Sequence, residues 1–202
     1  CSTPLLGNYS LGIYDTGKGL NCLLSRKGEN IAFSSLWDNF PGEVRIRIDP
    51  KTNSYNGAYL MLAGTTNNMQ SRIDNALVIA EYEEGCADTL HLENPINWPT
   101  INEEYIFDDY AFWSAPVMPL RFRLDNGAVG RHINSTELLT TVPSKKENKE
   151  KKIGENNRYA IEKGAGVILN MPLNPARRIR SIRIKTLSND IVVGIMAITL
   201  QK

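Results

Sequence analysis

The carboxylates, histidines and hydroxyls of this chain are the groups that could do chemistry. The densest acidic stretch is Glu103-Glu104-Tyr105-Ile106-Phe107-Asp108-Asp109-Tyr110. Two acids set about 5 to 9.5 Å apart across a glycosidic bond can hydrolyse it, one as acid and the other as nucleophile or base. The oxygens of Glu103, Glu104, Asp108 and Asp109 could also ligate calcium, although the fixed spacing of a calcium loop is missing. Nucleophilic catalysis needs a Ser or Cys beside a His base and an orienting acid. The only histidines are His91 and His132, and neither neighbours a Gly-x-Ser-x-Gly elbow. Two distant histidines and the scattered Cys1, Cys22 and Cys86 do not make a zinc site. No Gly-rich phosphate loop stands between a strand and a helix.

Aromatic and amide side chains offer a different chemistry, binding without reaction. Sugar pockets set an aromatic face against the C–H side of a pyranose and bond its hydroxyls with amides, carboxylates and guanidiniums. Trp98 lies in the Pro-bounded loop Asn94-Pro95-Ile96-Asn97-Trp98-Pro99, and Phe112-Trp113 follows the acidic stretch. The polar run Thr65 to Asn75 carries Asn67, Asn68, Gln70, Arg72 and Asp74. A carbohydrate site here would use Trp98, Trp113 and Tyr105 as platforms and those five polar residues as hydroxyl partners. Two readings compete for each loop Trp. It is either an exposed platform or a plug that closes the end of the fold, and loop Asn and Asp also serve turns. Trp37, in Trp37-Asp38-Asn39-Phe40-Pro41, reads as structural.

Short β-like runs separated by Gly, Asn, Asp and Pro must position these groups. Glu43 to Asp49 alternates, with Val44, Ile46 and Ile48 on one side. Arg180 to Lys185 alternates around Ile182 and Ile184. Leu120-Arg121-Phe122-Arg123-Leu124 does the same and enters the turn Asp125-Asn126-Gly127. Each strand has one wet face and one buried face, as in antiparallel sheets. Ala58–Ala63, Ala76–Ala80 and Ile191–Ile198 are apolar on both sides and read as central, doubly covered strands. The last contains Gly194 and invites a bulge. Roughly eleven to thirteen strands predict an all-β, two-sheet antiparallel sandwich of the jelly-roll or galactose-binding-like kind. Residues 143–157 are so charged that they read as an exposed loop. One domain over 1–202 is expected.

The bulk numbers agree with a folded domain. The chain has 202 residues, 42% hydrophobic and 22% charged. Its 23 basic and 22 acidic residues leave a net charge of +1, which argues against nucleic acid as the main partner. Basic residues nevertheless cluster at Lys145–Lys152 and Arg177–Lys185. No apolar run reaches the roughly 20 residues of a membrane-spanning helix. Cys22, in an apolar run, reads as a buried small hydrophobe. The chain opens on Cys1, so a mature form or a fragment is expected, with Cys1 either a lipid anchor or a fragment boundary.

Five segments carry a family resemblance: Gly7–Asp15, Ser35–Pro41, Tyr59–Ser71, Asn94–Pro99 and Leu187–Leu200. Together they resemble the C-terminal β-sandwich region of large Bacteroidetes proteins. Those proteins are similar to glycoside hydrolases with an (α/α) toroid body and form a family of unknown function. The resemblance implies a secreted setting, periplasmic or cell-surface, and a polysaccharide-related role. It supplies no catalytic residues, which would lie in the toroid. The loop after Trp98 runs Pro99-Thr100-Ile101-Asn102-Glu103, where the family pattern would place a second aromatic and an acid or amide. The expectation is a non-catalytic accessory domain packed against a glycosidase-like body. A carbohydrate-binding module and a free-standing glycoside hydrolase are the alternatives. No cofactor is implied beyond the calcium already considered.

Overall fold

The computed structural model describes residues 13–15, 19–24, 31–48, 55–105, 118–131, 158–161 and 163–202. The charged loop at 143–157, His132, Cys1, Asp108, Asp109 and Trp113 lie outside them. Fourteen strands are described: β1 (Ile13–Asp15), β2 (Asn21–Leu23), β3 (Ala32–Ser35), β4 (Glu43–Arg47), β5 (Gly57–Thr65), β6 (Asp74–Tyr82), β7 (Ala87–Glu93), β8 (Glu103–Tyr105), β9 (Leu120–Arg123), β10 (Val129–Gly130), β11 (Arg158–Ala160), β12 (Ala165–Pro172), β13 (Ile179–Thr186) and β14 (Val192–Gln201). The one helical element among these residues is a 3-10 turn at Asn68–Gln70.

The strands form a two-sheet antiparallel sandwich, as the alternation predicts. A six-stranded sheet has the order β10-β9-β12-β5-β14-β3, and a four-stranded sheet the order β4-β13-β6-β7. Two short pairs, β1-β2 and β8-β11, accompany them. Between the sheets lies the main core, with Leu60, Leu62, Val167 and Val193 from one side and Val78, Tyr82, Ile182 and Ile184 from the other. Ser34 on β3 and Thr186 on β13 share a buried hydroxyl bond of 2.6 Å that ties sheet to sheet.

The six-stranded sheet is covered on both faces, as the doubly apolar β5 and β14 require. Its outer face carries a second cluster: Met61, Phe122, Ile168, Met196 and Ala197, capped by Cys22 and Leu24. The register of β14 on β5 shifts between Ile195 and Ala197. That bulge lets consecutive residues Met196 and Ala197 both join the outer cluster. The bulge predicted at Gly194 thus falls two residues later. Gly194 has its own reason: a Cβ there would sit 2.7 Å from Ile31 Cγ2 and 2.9 Å from Ala63 O.

β6 departs from the expectation of double cover. Its inner residues Ala76, Val78 and Ala80 are fully buried, but Leu77 on the outer face is only half-buried. No second layer lies over this sheet among the described residues; charged stems from β4 and β13 shield Ile79 instead. Arg180 departs from strict alternation. β13 slips against β6 between Ile179 and Ser181, so Ile179 stays in the core while Arg180 and Ser181 both reach the outer face.

Candidate functional site

Three sheet-crossing connections fall at one end of the sandwich: β3 to β4, β5 to β6 and β13 to β14. The segment leaving β7 joins them. Backbone and side-chain bonds link the four loops in a row. Thr186 N–H donates to Gly42 O at 3.0 Å and Leu187 N–H to Asn75 O at 2.9 Å. Asn67 Nδ2 donates to Asp190 Oδ2 at 3.4 Å, and Arg72 N–H donates to Asn94 O at 2.8 Å.

This end holds most of the residues expected to bind sugar, and the structure gives them other work. Trp98 is 1% exposed. Its ring fills the space over Gly64, where an added Cβ would come within 2.9 Å of Trp98 Cζ2. Trp98 is the plug and not the platform, because no ring face is left for a pyranose. Asn67 caps the 3-10 turn by accepting from Met69 N–H at 2.9 Å. Asp74 Oδ2 lies 2.8 Å from His91 Nδ1. Gln70 keeps its Oε1 buried and unpartnered, turned away from solvent. Arg72 is exposed and sits in the left-handed region, at φ 56°. Asn68 lies in the turn and Tyr105 in β8. The described side chains of the set thus serve the plug, the 3-10 turn and a bond to His91. The residue that organises the loop is Asn75, which the sequence reading passed over. It is fully buried and donates through Nδ2 to Gln70 O at 2.8 Å and Ile73 O at 3.1 Å.

The same end is apolar on its surface. Eight large hydrophobic side chains are exposed among the described residues, and seven lie in these loops: Leu36, Trp37, Phe40, Met69, Ile73, Ile96 and Leu187. Trp37 is 58% exposed. It is therefore not the buried structural residue expected, and its neighbour Phe40, itself 50% exposed, makes an edge contact with Phe33 at 5.3 Å.

A second feature lies on the outer face of the six-stranded sheet, where the β1–β2 cover ends. A cleft of about 700 Å³ opens there, inside the range usual for small-ligand sites. The half-buried ring of Tyr59 on β5 forms part of its wall, with Asn170 on β12, Thr199 and Gln201 on β14, Asn21 on β2 and Arg131 after β10. Gly57 makes room for two of them: its missing Cβ would meet Asn170 Oδ1 at 3.2 Å and Gln201 Oε1 at 3.6 Å. Thr199 Oγ1 donates to Asn21 O at 2.8 Å, which fixes the cover to the sheet. No window of sequence contains these residues together.

The acidic stretch gives one described carboxylate, Glu103, whose Oε2 is buried. Arg121, fully buried, donates to the backbone oxygens of Glu103 at 2.7 Å, Thr100 at 2.8 Å and Ala165 at 2.9 Å. It clamps the strand-linking segment to the sheet. Among the described residues, no three His, Cys, Asp or Glu side chains gather to hold a metal ion. Among them, too, no helix is long and apolar enough to cross a membrane. Burial pushes the Cys22 thiol up, against a weaker opposing bond from Thr199, so Cys22 is the buried small residue its apolar run predicts.

Fold and site together define a two-sheet antiparallel β-sandwich with an apolar loop end and a separate polar cleft. Compared with protein-family models, the curated proteins and the solved structures, the chain matches none.

Proposed function

We propose that the chain is a non-catalytic accessory domain of a glycosidase-like, polysaccharide-processing protein, and that it docks on a catalytic body through its loop end. The observation that carries this reading is the gathering of exposed hydrophobic side chains on that end. A sandwich that worked alone in water would have no use for Trp37, Phe40 and Met69 at its loop tips. The reading frame around the coding segment is the first test: a helical, toroid-like domain in the same frame supports it. The second is binding of an apolar dye. The chain should enhance the dye's fluorescence, and the combined Trp37→Ser, Phe40→Ser and Met69→Ser variant should lose most of the enhancement. A chain that binds no dye, in a frame with no such domain, would reject the docking role.

A second reading is favoured by the cleft. There, the Tyr59 ring and the amides of Asn170 and Gln201 supply the aromatic and hydrogen-bonding groups a saccharide needs. In this reading the domain also holds a glycan chain near the catalytic body, in a periplasmic or cell-surface setting. Affinity gels loaded with neutral polysaccharides should retard the chain. Tyr59→Ala should abolish the retardation, and Trp98 should have no direct part in it. Retardation unchanged by Tyr59→Ala and Asn170→Ala together would reject the cleft.

A further inference from the structure

The basic run Arg177–Lys185 is the one sequence signal that neither the loop end nor the cleft uses. In the fold, β13 sets its outward residues beside those of β4, with Arg183 paired to Arg45 and Ser181 to Arg47. Glu81 on β6 sits among them, only 12% exposed. Its carboxylate meets Arg45 Nε at 3.2 Å, Arg183 Nε at 3.0 Å and Arg180 Nη2 at 3.8 Å, and Ser181 Oγ donates to it at 2.6 Å. Arg183 also reaches Glu43 at 2.9 Å, and Arg178 reaches Glu83 at 3.6 Å. Arg47 makes no ion pair with a described residue. Four guanidiniums therefore meet three carboxylates and Arg47 adds a fifth beside them, on a chain whose net charge is only +1.

The surplus is focused. Arg45, Arg47 and Arg180 line a hollow of about 400 Å³ together with Ile48, Ser181 and Glu83, and Arg178 stands 3.6 Å from the Glu83 carboxylate. The bulge at Arg180 is what brings the third guanidinium to the rim. Arg45 and Arg180 are half-exposed, at 50% and 56%, so they keep donors free beyond Glu81. A guanidinium presents a planar fork that matches a carboxylate, sulfate or phosphate oxygen pair.

We propose that this hollow on the outer face of the four-stranded sheet binds the oxyanion group of an acidic polysaccharide, a uronate carboxylate or a sulfate ester. The oxyanion is read from the arginines alone, and the polysaccharide that carries it rests on the function proposed above. A nucleic acid fits the face less well. Glu43, Glu81 and Glu83 interrupt the positive charge that a phosphate track needs, and the aromatic ring the described outward residues offer for base stacking is His91, which is held by Asp74 at 2.8 Å. A membrane surface fits less well too, because the exposed apolar side chains lie at the loop end, away from these arginines.

The test is titration calorimetry of the full chain at low salt with five probes. These are a polygalacturonate oligosaccharide, a sulfated glucan oligosaccharide, the unmodified glucan, inorganic sulfate and a short DNA duplex. One or both acidic oligosaccharides should bind, and the neutral glucan should not compete with them. Which acidic probe binds more tightly distinguishes carboxylate from sulfate ester. Arg47→Ala should weaken that binding by about tenfold. Arg47 has no ion pair with a described residue to lose, so the thermal midpoint should hold. Arg180→Ala should act in the same direction, and Arg47→Lys should restore binding only in part. Three results overturn the proposal: no binding of either acidic oligosaccharide, binding indifferent to Arg47→Ala and Arg180→Ala, or DNA or sulfate alone binding as tightly as the best oligosaccharide.

Discussion

The two sheets of this sandwich solve the same problem in opposite ways. The six-stranded sheet packs one face against its partner sheet and buries much of the other, around Phe122, under Cys22 and Leu24. The four-stranded sheet buries only its inner face and leaves the outer one to arginines, glutamates and the stems that shield Ile79. One is fixed by close packing, where every methyl group is felt. The other is fixed by charges in water, where single pairs are worth little. Substitutions should therefore cost far more in the first sheet than on the open face of the second.

The glycines of the six-stranded sheet give the largest effect. A Cβ on Gly64 would stand 1.9 Å from Val192 O and 2.9 Å from Trp98 Cζ2. On Gly166 it would stand 2.3 Å from Phe122 Cζ and 2.4 Å from Leu62 O. Backbone oxygens of neighbouring strands cannot retreat without breaking the ladder. Gly64→Ala and Gly166→Ala should each lose on the order of 3 kcal/mol or more in urea unfolding. A loss under about 1 kcal/mol would mean that this sheet is looser than its packing implies.

That contrast also sets what could be read from sequence. Alternation on β4 and the doubly apolar runs of β5 and β14 reflect burial of the strand itself, so they are legible locally. The fates of Trp37 and Trp98 are not. Both stand in Pro-flanked turns, and what sets Trp98 apart is Gly64 on another strand, whose missing side chain leaves room for its ring. The bulge at Arg180 is likewise invisible and the one in β14 is legible only to within two residues, because an extra residue in a ladder is a property of two strands and not of one. The cleft fails for the same reason: Tyr59, Asn170 and Gln201 meet only through the pairing of β12 and β14 with β5. The loop amides from Asn67 to Asp74 were legible as a cluster but not as a binding site. Turn-making and sugar-binding draw on the same residue types.

Two adjacent residues of β6 sharpen the comparison within the four-stranded sheet. Tyr82 faces the core and is 1% exposed. Its hydroxyl donates to Asp88 Oδ2 and accepts from Asn174 N–H at 2.9 Å. Burial first, and the Asp88 bond second, push its pKa up to about 12. The neutral form is the one the fold holds. The stabilisation is thus full below the unfolded value of about 10 and fades as pH rises toward 12. Tyr82→Phe should cost about 1–2 kcal/mol at neutral pH. Its unfolding curve should converge with that of the unmodified chain in strong alkali.

Glu81 lies one residue away and faces the arginines. The Ser181 hydroxyl bond, then Arg45, Arg183 and Arg180, hold its carboxyl below the usual range despite the opposing cost of burial. Here the charged form is favoured, so the sign reverses. The stabilisation is present above the unfolded value of about 4.3 and disappears as pH falls through the folded one. Glu81→Gln should cost up to about 1 kcal/mol at neutral pH, because the partners are half in water and screened. The gap from the unmodified chain should close in acid, and it should shrink in high salt. The same substitution removes the anion that competes for Arg45 and Arg180, so it should tighten rather than weaken the acidic oligosaccharide in the hollow. A variant that loses both stability and oligosaccharide binding would mean that Glu81 organises the arginines for a ligand. In that case the open face is built as deliberately as the packed one.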